Sequence, residues 1–433
     1  MEKCDSYPEF GIIRQAFEPG REANAEESVG SEFIRTGLLN QIKKGDKVLI
    51  TAGSRGISCM VDVLRGCVKE VRKAGGVPLL FPAMGSHGRG EANLQVEVLA
   101  HLGITEDSIG APVYSDMETV RVGTVLDDVP LYVDRVVAEA DHILIVNRVK
   151  VHTEYIGETE SGLLKMAVVG LGRHAGAEIM HKLAVNITYY KAIQEISKGL
   201  FKNLNILAGV AIIEDHTNRL AKLEVVPASE VFEREPELLE ESKKYRSKLP
   251  VEDLDILLVD EIGKDISGAG MDTKVIGRIM NIYEEECTTP RITRIVVRDL
   301  TERTAGNATG IGLADYTTQR AYEKIDFKAV NTNCITAVAP EKARIPMVLS
   351  SDRDALQAAF DTIGLWSPET VKVAWISNTL SMELMAVSGA LAKEMKNRDD
   401  IEVYDGAFDL PFDEKGNLPG ISDIIKKRNL DRQ

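Results

Sequence analysis

Short apolar runs alternate along the chain with stretches whose apolar residues recur at helical spacing. The run in "DKVLITAGSRGIS" is followed by "CMVDVLRGCVKEVRKAGG", where apolar residues recur every three or four positions before a glycine pair. Similar runs occur in "VPLLFPAMGSHGRGEAN", "DHILIVNRVKVH", "LNILAGVAIIEDHTN", "LDILLVDEIGKDISGAG", "TRIVVRDLTERTAGNATG" and "VKVAWISNTLS". Buried strands that alternate with helices predict an α/β fold with mostly parallel sheets.

The chain length predicts two α/β domains, because a single hydrophobic core rarely grows past roughly 250–300 residues and the chain has 433. A charged stretch near 230–250, "ASEVFEREPELLEESKKYRSKLPVEDLD", predicts a helix and then a linker. The alternative is an insertion within one domain. We predict a first domain over residues 1–250, a second over 251–390, and a tail over 391–433 that packs back on the first domain.

Charge and cysteine content exclude several classes of partner and site. The formal net charge is −15, and an acidic surface repels phosphate backbones, so no nucleic-acid partner is expected. The five cysteines are odd in number and lack metal-ligand spacing, which argues against a disulfide framework or a zinc site. No run approaches the roughly 18 apolar residues of a membrane span, and the N-terminus lacks an apolar signal region. We therefore expect a cytoplasmic protein that does not bind membranes.

Three residues with reactive or charged side chains follow apolar runs, where open parallel sheets bind their ligands. His87 lies among glycines in "AMGSHGRGE" and could serve as an acid or base near neutral pH, or cap a helix. Arg55 in "TAGSRGIS" could hold a carboxylate through bidentate donors, or be a surface residue. His152 follows "ILIVNRVKV" and could contribute to a carboxylate site, or to a salt-bridged sheet edge.

The segment that follows adds a lysine and two histidines. Lys165 comes after "ESGLL" and becomes a nucleophile if apolar neighbours lower its pKa; the alternative is a lysine at a helix start that extends its charge into solvent. His174 and His181 are seven residues apart, about two helical turns, so they are predicted to share one helix face. One histidine can ligate a metal alone if a cofactor supplies the other ligands.

The order of these motifs resembles that of the nickel-pincer nucleotide-dependent lactate racemase family. The motifs are Ser54-Arg55, Gly85-Ser86-His87, His152, Ser161-Gly162-Leu163-Leu164-Lys165 and His181. Each motif is weakly specific by itself. The order and the separations of the motifs together are more specific. The resemblance covers roughly the first half of the chain well and the second half loosely.

The resemblance implies a cofactor and the residues that hold it. The cofactor is pyridinium-3,5-bisthiocarboxylic acid mononucleotide, whose sulfur and carbon atoms grip one nickel ion. Lys165 is implied to form a thioamide link to it, within a cofactor-binding segment that includes Ser161 and Gly162. His181 is implied to complete the square-planar nickel, a sensible partner for soft sulfur donors.

The resemblance also implies a substrate site and a reaction. His87 and His152 are implied to lie on either side of a 2-hydroxy acid as acid and base. A racemase needs such a group on each side because it acts on both enantiomers. Arg55 is implied to hold the substrate carboxylate, and Lys264 in "DEIGKDISGAGMD" to reach the substrate from the second domain. A hydride step needs a dry site, so we expect it in the cleft between the domains.

Departures from the family pattern indicate a substrate other than lactate. Ala52 replaces an acidic residue, Leu163-Leu164 replace a glycine and a basic residue, and three extra residues separate His152 from Ser161. We therefore predict a racemase or epimerase of a sugar acid or other 2-hydroxy acid. The alternatives are a nucleotide- or metal-dependent oxidoreductase or lyase on the same scaffold, and a small-molecule binding protein. The sequence leaves open whether the chain forms a homo-oligomer.

Overall fold

The computed structural model describes residues 7–430 except 21–23, 55, 86 and 115. The chain forms two compact units. The N-terminal unit is Glu18–Arg246, and the C-terminal unit combines residues 7–17 with residues 247–430. The first strand, β1 (Phe10–Gln15), belongs to the C-terminal unit.

The N-terminal unit is built on one five-stranded sheet and one two-stranded ribbon. Its strands are β2 (Lys47–Ala52), β3 (Val77–Pro82), β4 (Thr119–Val125), β5 (Val129–Asp134), β6 (His142–Arg148), β7 (Ile206–Glu214) and β8 (Leu220–Pro227). Its helices are α1 (Ala25–Thr36), α2 (Met60–Lys73), α3 (Ala92–His101), α4 (Glu106–Ile109), α5 (Arg135–Ala138), α6 (Leu163–Lys165), α7 (Arg173–Ile187), α8 (Tyr189–Asn203) and α9 (Val231–Ser242). One π-helical segment, Met166–Leu171, joins α6 to α7.

Parallel pairing in the five-stranded sheet brings several strand ends to one edge. The strand order is β3-β2-β6-β7-β8, and only β8 runs antiparallel to its neighbour. Strands β2, β6 and β7 are almost continuously buried, as expected where helices cover both faces of a sheet. The carboxyl ends of β3, β2 and β6 therefore lie side by side, and the loops that follow them can form one site.

The C-terminal unit is built on an eight-stranded sheet. Its further strands are β9 (Asp253–Ile262), β10 (Arg291–Leu300), β11 (Tyr316–Thr318), β12 (Met347–Leu349), β13 (Val373–Ile376), β14 (Leu384–Ser388) and β15 (Ile401–Val403). Its helices are α10 (Thr273–Ile276), α11 (Gln319–Glu323), α12 (Phe327–Thr336), α13 (Asp352–Phe360), α14 (Gly389–Met395) and α15 (Ile421–Lys427). The order is β12-β11-β10-β9-β13-β14-β1-β15, with the first five strands parallel.

The predicted α/β fold with mostly parallel sheets is confirmed by both sheets. No helix in the described part of the chain has the length and apolar character that a bilayer span requires.

Both ends of the chain differ from the predicted domain division. Strand β1 pairs with β14 and β15, so residues assigned to the first domain complete the sheet of the C-terminal unit. The tail was predicted to pack on the first domain, but Ile421 and Ile424 of α15 pack in a core of the C-terminal unit with Phe10 and Trp375. The physical reason is that apolar residues of the tail cover one face of the eight-stranded sheet.

A buried ion-pair network fixes the tail in this position. The Arg298 guanidinium pairs with Asp260 and Asp352, and it also donates to the Leu418 carbonyl at 2.5 Å. The same two carboxylates accept backbone N–H groups of the tail, Asp352 from Leu418 at 2.9 Å and Asp260 from Ile421 at 2.7 Å. One arginine therefore orients both carboxylates that bind the tail.

We expect Arg298→Met to lower the free energy of unfolding of the C-terminal unit by about 3 kcal/mol, because it leaves two buried carboxylates without their shared cation. Both tryptophans, Trp366 and Trp375, lie in this unit, so tryptophan fluorescence in urea reports its unfolding. The control is Arg291→Gln, which removes an exposed pair with Asp253 and should change stability by less than about 1 kcal/mol. Equal effects of the two variants would contradict the anchoring role of Arg298.

Candidate active site

The loops that follow β2 and β3 meet through a serine and a histidine. Ser54 Oγ lies 2.5 Å from Nδ1 of His87, whose side chain is otherwise exposed. Arg55, the predicted carboxylate ligand, lies outside the described residues. A hydroxyl can donate or accept a hydrogen bond, so Ser54 accommodates either tautomer of the ring. His87 can therefore gain or lose a proton while it keeps its hydrogen bond to Ser54.

Side chains of neighbouring elements hold the backbone of the His87 loop. Gly85 has φ of 57°, and a Cβ there would lie 3.0 Å from a Val169 side-chain atom and 3.5 Å from Ala177 Cβ. Gln95 donates from its amide to the carbonyls of Gly85 at 2.9 Å and His87 at 3.0 Å. The loop thus packs closely against the π-helical segment and α7, where only a glycine fits without strain.

Arg173 connects this loop to the start of α7. Its guanidinium is buried, donates to Asp134 Oδ2 at 2.9 Å and to the Pro82 carbonyl at 2.8 Å, and lies 4.2 Å from the centre of the Phe81 ring. It also hydrogen-bonds Gln95 Oε1. Because Gln95 in turn holds the His87 loop, Arg173 ties the first residue of α7 to the end of β3 and to that loop.

The chain after β6 folds back on itself and carries His152. Lys150 and Ser161 exchange two backbone hydrogen bonds, of 2.8 and 3.0 Å. The backbone N–H of His152 donates to Glu160 Oε2 at 2.5 Å, and Nδ1 of His152 accepts from the Glu154 N–H at 3.1 Å. An Nδ1 that accepts a hydrogen bond places the proton of the neutral ring on Nε2. His152 therefore presents a donor in this arrangement.

A row of four aromatic rings connects His152 to His181. The ring centroids of His152 and Tyr155 lie 4.7 Å apart, those of Tyr155 and Tyr189 5.5 Å, and those of Tyr189 and His181 5.7 Å. Both tyrosines are buried, and the Tyr155 hydroxyl donates to the Glu160 carbonyl at 2.6 Å. We call these four residues the aromatic row. It brings a predicted acid–base residue and the predicted metal ligand into one contiguous cluster.

The helix α7 also connects His181 to the His87 loop. His181 lies four residues after Ala177, the residue of α7 that lies against Gly85, so the two side chains share one face of the helix. His174 lies on the same helix, as its spacing from His181 predicted, and is exposed near Gly90. The described site residues of this unit thus lie on loops and helices around one edge of the sheet.

Lys165 ends the short helix α6 and is half-buried. The residues before it are held by side chains of other elements. Asn147 of β6 donates from its amide to the Gly162 carbonyl at 2.8 Å, and Glu235 of α9 accepts from the Leu164 N–H at 2.9 Å through Oε2. The π-helical segment that follows is a type of helix often found at functional sites.

Glu235 is a fully buried carboxyl group beside this turn. Desolvation raises its pKa from an ordinary 4.5 to about 8, and the nearby backbone N–H groups of Leu164 and Leu163 only partly oppose that shift. Within the described residues, its Oε1 atom has no hydrogen-bond partner. A Cβ at Gly162 would overlap this carboxyl group, so the position requires a glycine.

Lys264 lies in the C-terminal unit, just after β9. Its ammonium donates to the Gly268 carbonyl at 2.6 Å, and its backbone N–H donates to Thr304 Oγ1 at 3.1 Å. Its predicted contact with substrate stays a prediction.

Neither a family model nor a curated protein sequence matches this chain. Among solved structures, the chain is similar to the lactate racemase apoprotein from Thermoanaerobacterium thermosaccharolyticum. The TM-score is 0.52 with 13% sequence identity, and the match covers 86% of this chain and 94% of the other. The chain therefore has a lactate racemase-like fold. At this identity, the likeness establishes the fold and leaves substrate and mechanism open.

Several residues of the site carry no sequence signal of their own. Tyr155 is a single aromatic residue in polar surroundings, Tyr189 is followed by a second tyrosine, and Arg173 directly precedes His174. Glu235 sits inside the charged stretch that predicted a helix leading to a linker. The proline that follows Glu235 within α9 is the only local feature that sets it apart from the other glutamates of that helix.

We expect Glu235→Gln to flatten the pH dependence of stability. The native carboxyl keeps its proton up to about pH 8, whereas the unfolded one loses it near 4.5, so wild-type stability falls as pH rises between these values. Across this window, the unfolding free energy of the variant minus that of the wild type should increase by roughly 1.4 kcal/mol per pH unit. Urea titrations from pH 5 to 8.5 measure the difference.

Glu240→Gln is the control on the same helix, because the Glu240 side chain is largely exposed. It should leave the pH dependence of stability as it is in the wild type. A Glu235→Gln variant that also leaves it unchanged would show that Glu235 is ionised in the native state at neutral pH.

Proposed function

We propose that this protein is a racemase or epimerase of a 2-hydroxy acid other than lactate, and that it uses a nickel-pincer nucleotide. The observation that carries the proposal is the convergence of the motif residues within the N-terminal unit. The face of α7 that bears His181 packs on the His87 loop at Gly85, and the aromatic row connects His181 to His152. The lactate racemase-like fold supports the same reaction class.

The donor set fits a metal that is held mainly by a cofactor. Among the residues that the structure describes, no three His, Cys, Asp or Glu side chains form a group that could hold a metal ion. His181 offers one imidazole, and an imidazole suits nickel whose other ligands are sulfur and carbon atoms of a nucleotide. Lys165, at the end of a turn fixed by buried contacts, is the residue that would bind the nucleotide covalently.

When bound, the nickel-pincer nucleotide supplies the hydride acceptor and donor for the α-carbon of the substrate. The protein must then move the hydroxyl proton. In this proposal, Nε2 of His87 takes that proton on one face, while Ser54 hydrogen-bonds Nδ1 and stabilises the resulting imidazolium by accepting from it. His152 handles the proton on the opposite face. The planar 2-oxo acid between them can be reduced from either side.

The two histidines differ in the state that their neighbours favour. Ser54 permits either tautomer of His87, whereas the Glu154 N–H favours a neutral His152 with its proton on Nε2. A neutral imidazole is a very weak acid, so in this proposal His152 releases the Glu154 N–H and binds a second proton at Nδ1 before it can give up the proton on Nε2. This asymmetry supports a resting state in which His87 is the base.

We expect His87→Ala and His152→Ala each to lower racemisation at least 100-fold, within the usual range for loss of a general acid or base. The assay is a panel of chiral 2-hydroxy acids in D₂O, followed by chiral chromatography and mass spectrometry. Hydride transfer predicts that the inverted product keeps its α-hydrogen. The control is His101→Gln, an exposed histidine of α3, which should keep wild-type activity.

The same panel distinguishes the alternatives. Accumulation of a 2-oxo acid without inversion would favour an oxidoreductase. Tight binding that survives both alanine substitutions, without turnover in any form, would favour a small-molecule binding protein.

We also expect nickel and a nucleotide adduct in protein produced together with the enzymes that synthesise the cofactor. Peptide mass spectrometry should find the adduct on Lys165, and metal analysis should find one nickel per chain. Lys165→Arg should abolish the adduct, whereas His181→Ala should keep the adduct and lose most of the nickel. Protein that carries neither nickel nor adduct under these conditions would refute the proposal.

A further inference from the structure

The turn from Ser161 to Lys165, here called the lysine turn, is fixed from several sides. Its first residue is joined to Lys150 by two backbone hydrogen bonds. Its inner residues contact side chains from three elements: Asn147 of β6, Ser197 of α8, which donates to the Leu164 carbonyl at 3.3 Å, and Glu235 of α9. Five residues held by this many buried groups have little freedom, and Lys165 is the last of them.

A carboxyl group is an unfavourable choice for a purely structural contact at this position. Glu235 is fully buried, and within the described residues its Oε1 has no hydrogen-bond partner, although a buried polar atom without one destabilises a fold. An apolar side chain of the same length would avoid that penalty but would leave the buried Leu164 N–H without its acceptor. The glutamate at this point of α9 is therefore explained by its contact with the lysine turn.

The geometry of the lysine turn gives Glu235 another role. Its Oε2 atom accepts from the N–H of Leu164, the residue directly before Lys165, and its carboxyl group fills the space where a side chain at Gly162 would lie. We propose that Glu235 is a positioning residue that fixes the main chain of the lysine turn and thereby the direction of the Lys165 side chain. This inference rests on the proposed function, in which Lys165 holds the nucleotide.

The test compares three variants of the cofactor-free full chain. Glu235→Met keeps length and volume but removes the acceptor, Glu235→Gln keeps the acceptor, and Glu240→Met is the exposed control on the same helix. Each protein is acetylated briefly with a limiting amount of an amine-reactive reagent. Peptide mass spectrometry then gives the acetylation rate of Lys165 relative to that of the exposed Lys202. Thermal unfolding is recorded in parallel.

We expect Glu235→Met to remain folded and to raise the Lys165:Lys202 ratio at least fivefold. Glu235→Gln and Glu240→Met should stay within twofold of the wild type. A normal ratio in a folded Glu235→Met variant would overturn the inference, because the residue would then be a packing element only. If that variant does not fold, Glu235→Asp replaces it, because it withdraws the carboxyl group by one methylene. It should then raise the Lys165:Lys202 ratio at least fivefold.

Adduct formation separates this inference from the proposed function. If wild-type protein made with the cofactor-synthesis enzymes gains no adduct but the Lys165 ratio responds as described, the nickel-pincer proposal fails and the positioning role of Glu235 is supported. If the wild type gains its adduct and Glu235→Met gains it equally with an unchanged ratio, the proposed function is supported and the positioning role is refuted.

Discussion

The buried guanidinium of Arg173 is the interaction on which the arrangement of the site depends. It pairs with Asp134 at the end of β5, reaches the carbonyl of Pro82 at the end of β3, and bonds Gln95 of α3. Arg173 also has φ of 54°, an unusual backbone conformation for a residue with a side chain. Such a conformation persists because the surrounding hydrogen bonds over-determine it. These bonds fix the first residue of α7, the helix that carries His181, against the ends of β5 and β3.

Much of the fold could be predicted from the sequence because buried parallel strands have a recognisable apolar pattern. Strands buried on both faces must be continuously apolar, and the runs that gave β2, β3, β6, β7, β9 and β10 are of this kind. The placement of His87 near Ser54 followed from the same logic, since loops after neighbouring parallel strands meet at one edge of the sheet. His181 and His174 could be placed on one helix because their spacing is a property of the helix itself.

What could not be predicted depends on contacts between residues distant in sequence. Glu235 lies in a charged stretch that predicted a helix and then a linker, and its burial depends on packing against a turn whose Leu164 lies 71 residues earlier. The tail of the chain is short and amphipathic, so its pattern shows that it packs but not on which sheet. Asp260 and Asp352, held by Arg298, accept backbone N–H groups of the tail and fix its place in the C-terminal unit. Such pairings leave no periodic trace in the sequence.

In the proposed reaction, two histidines in unequal surroundings would act on the two enantiomers of a substrate. A symmetric reaction does not require symmetric residues, because the equilibrium between enantiomers is fixed at unity whatever the catalyst. What the residues determine is the protonation state in which the enzyme waits. In the proposed reaction, His87, beside a hydroxyl that adapts to either tautomer, would be that resting base, while His152 would act as an acid only as an imidazolium, after its Nδ1 has released the Glu154 N–H. Each turnover then exchanges these states, so the Glu154 contact must break and reform. Because Glu154 lies in the loop from residue 153 to residue 160, the proposed reaction would require a local movement of that loop.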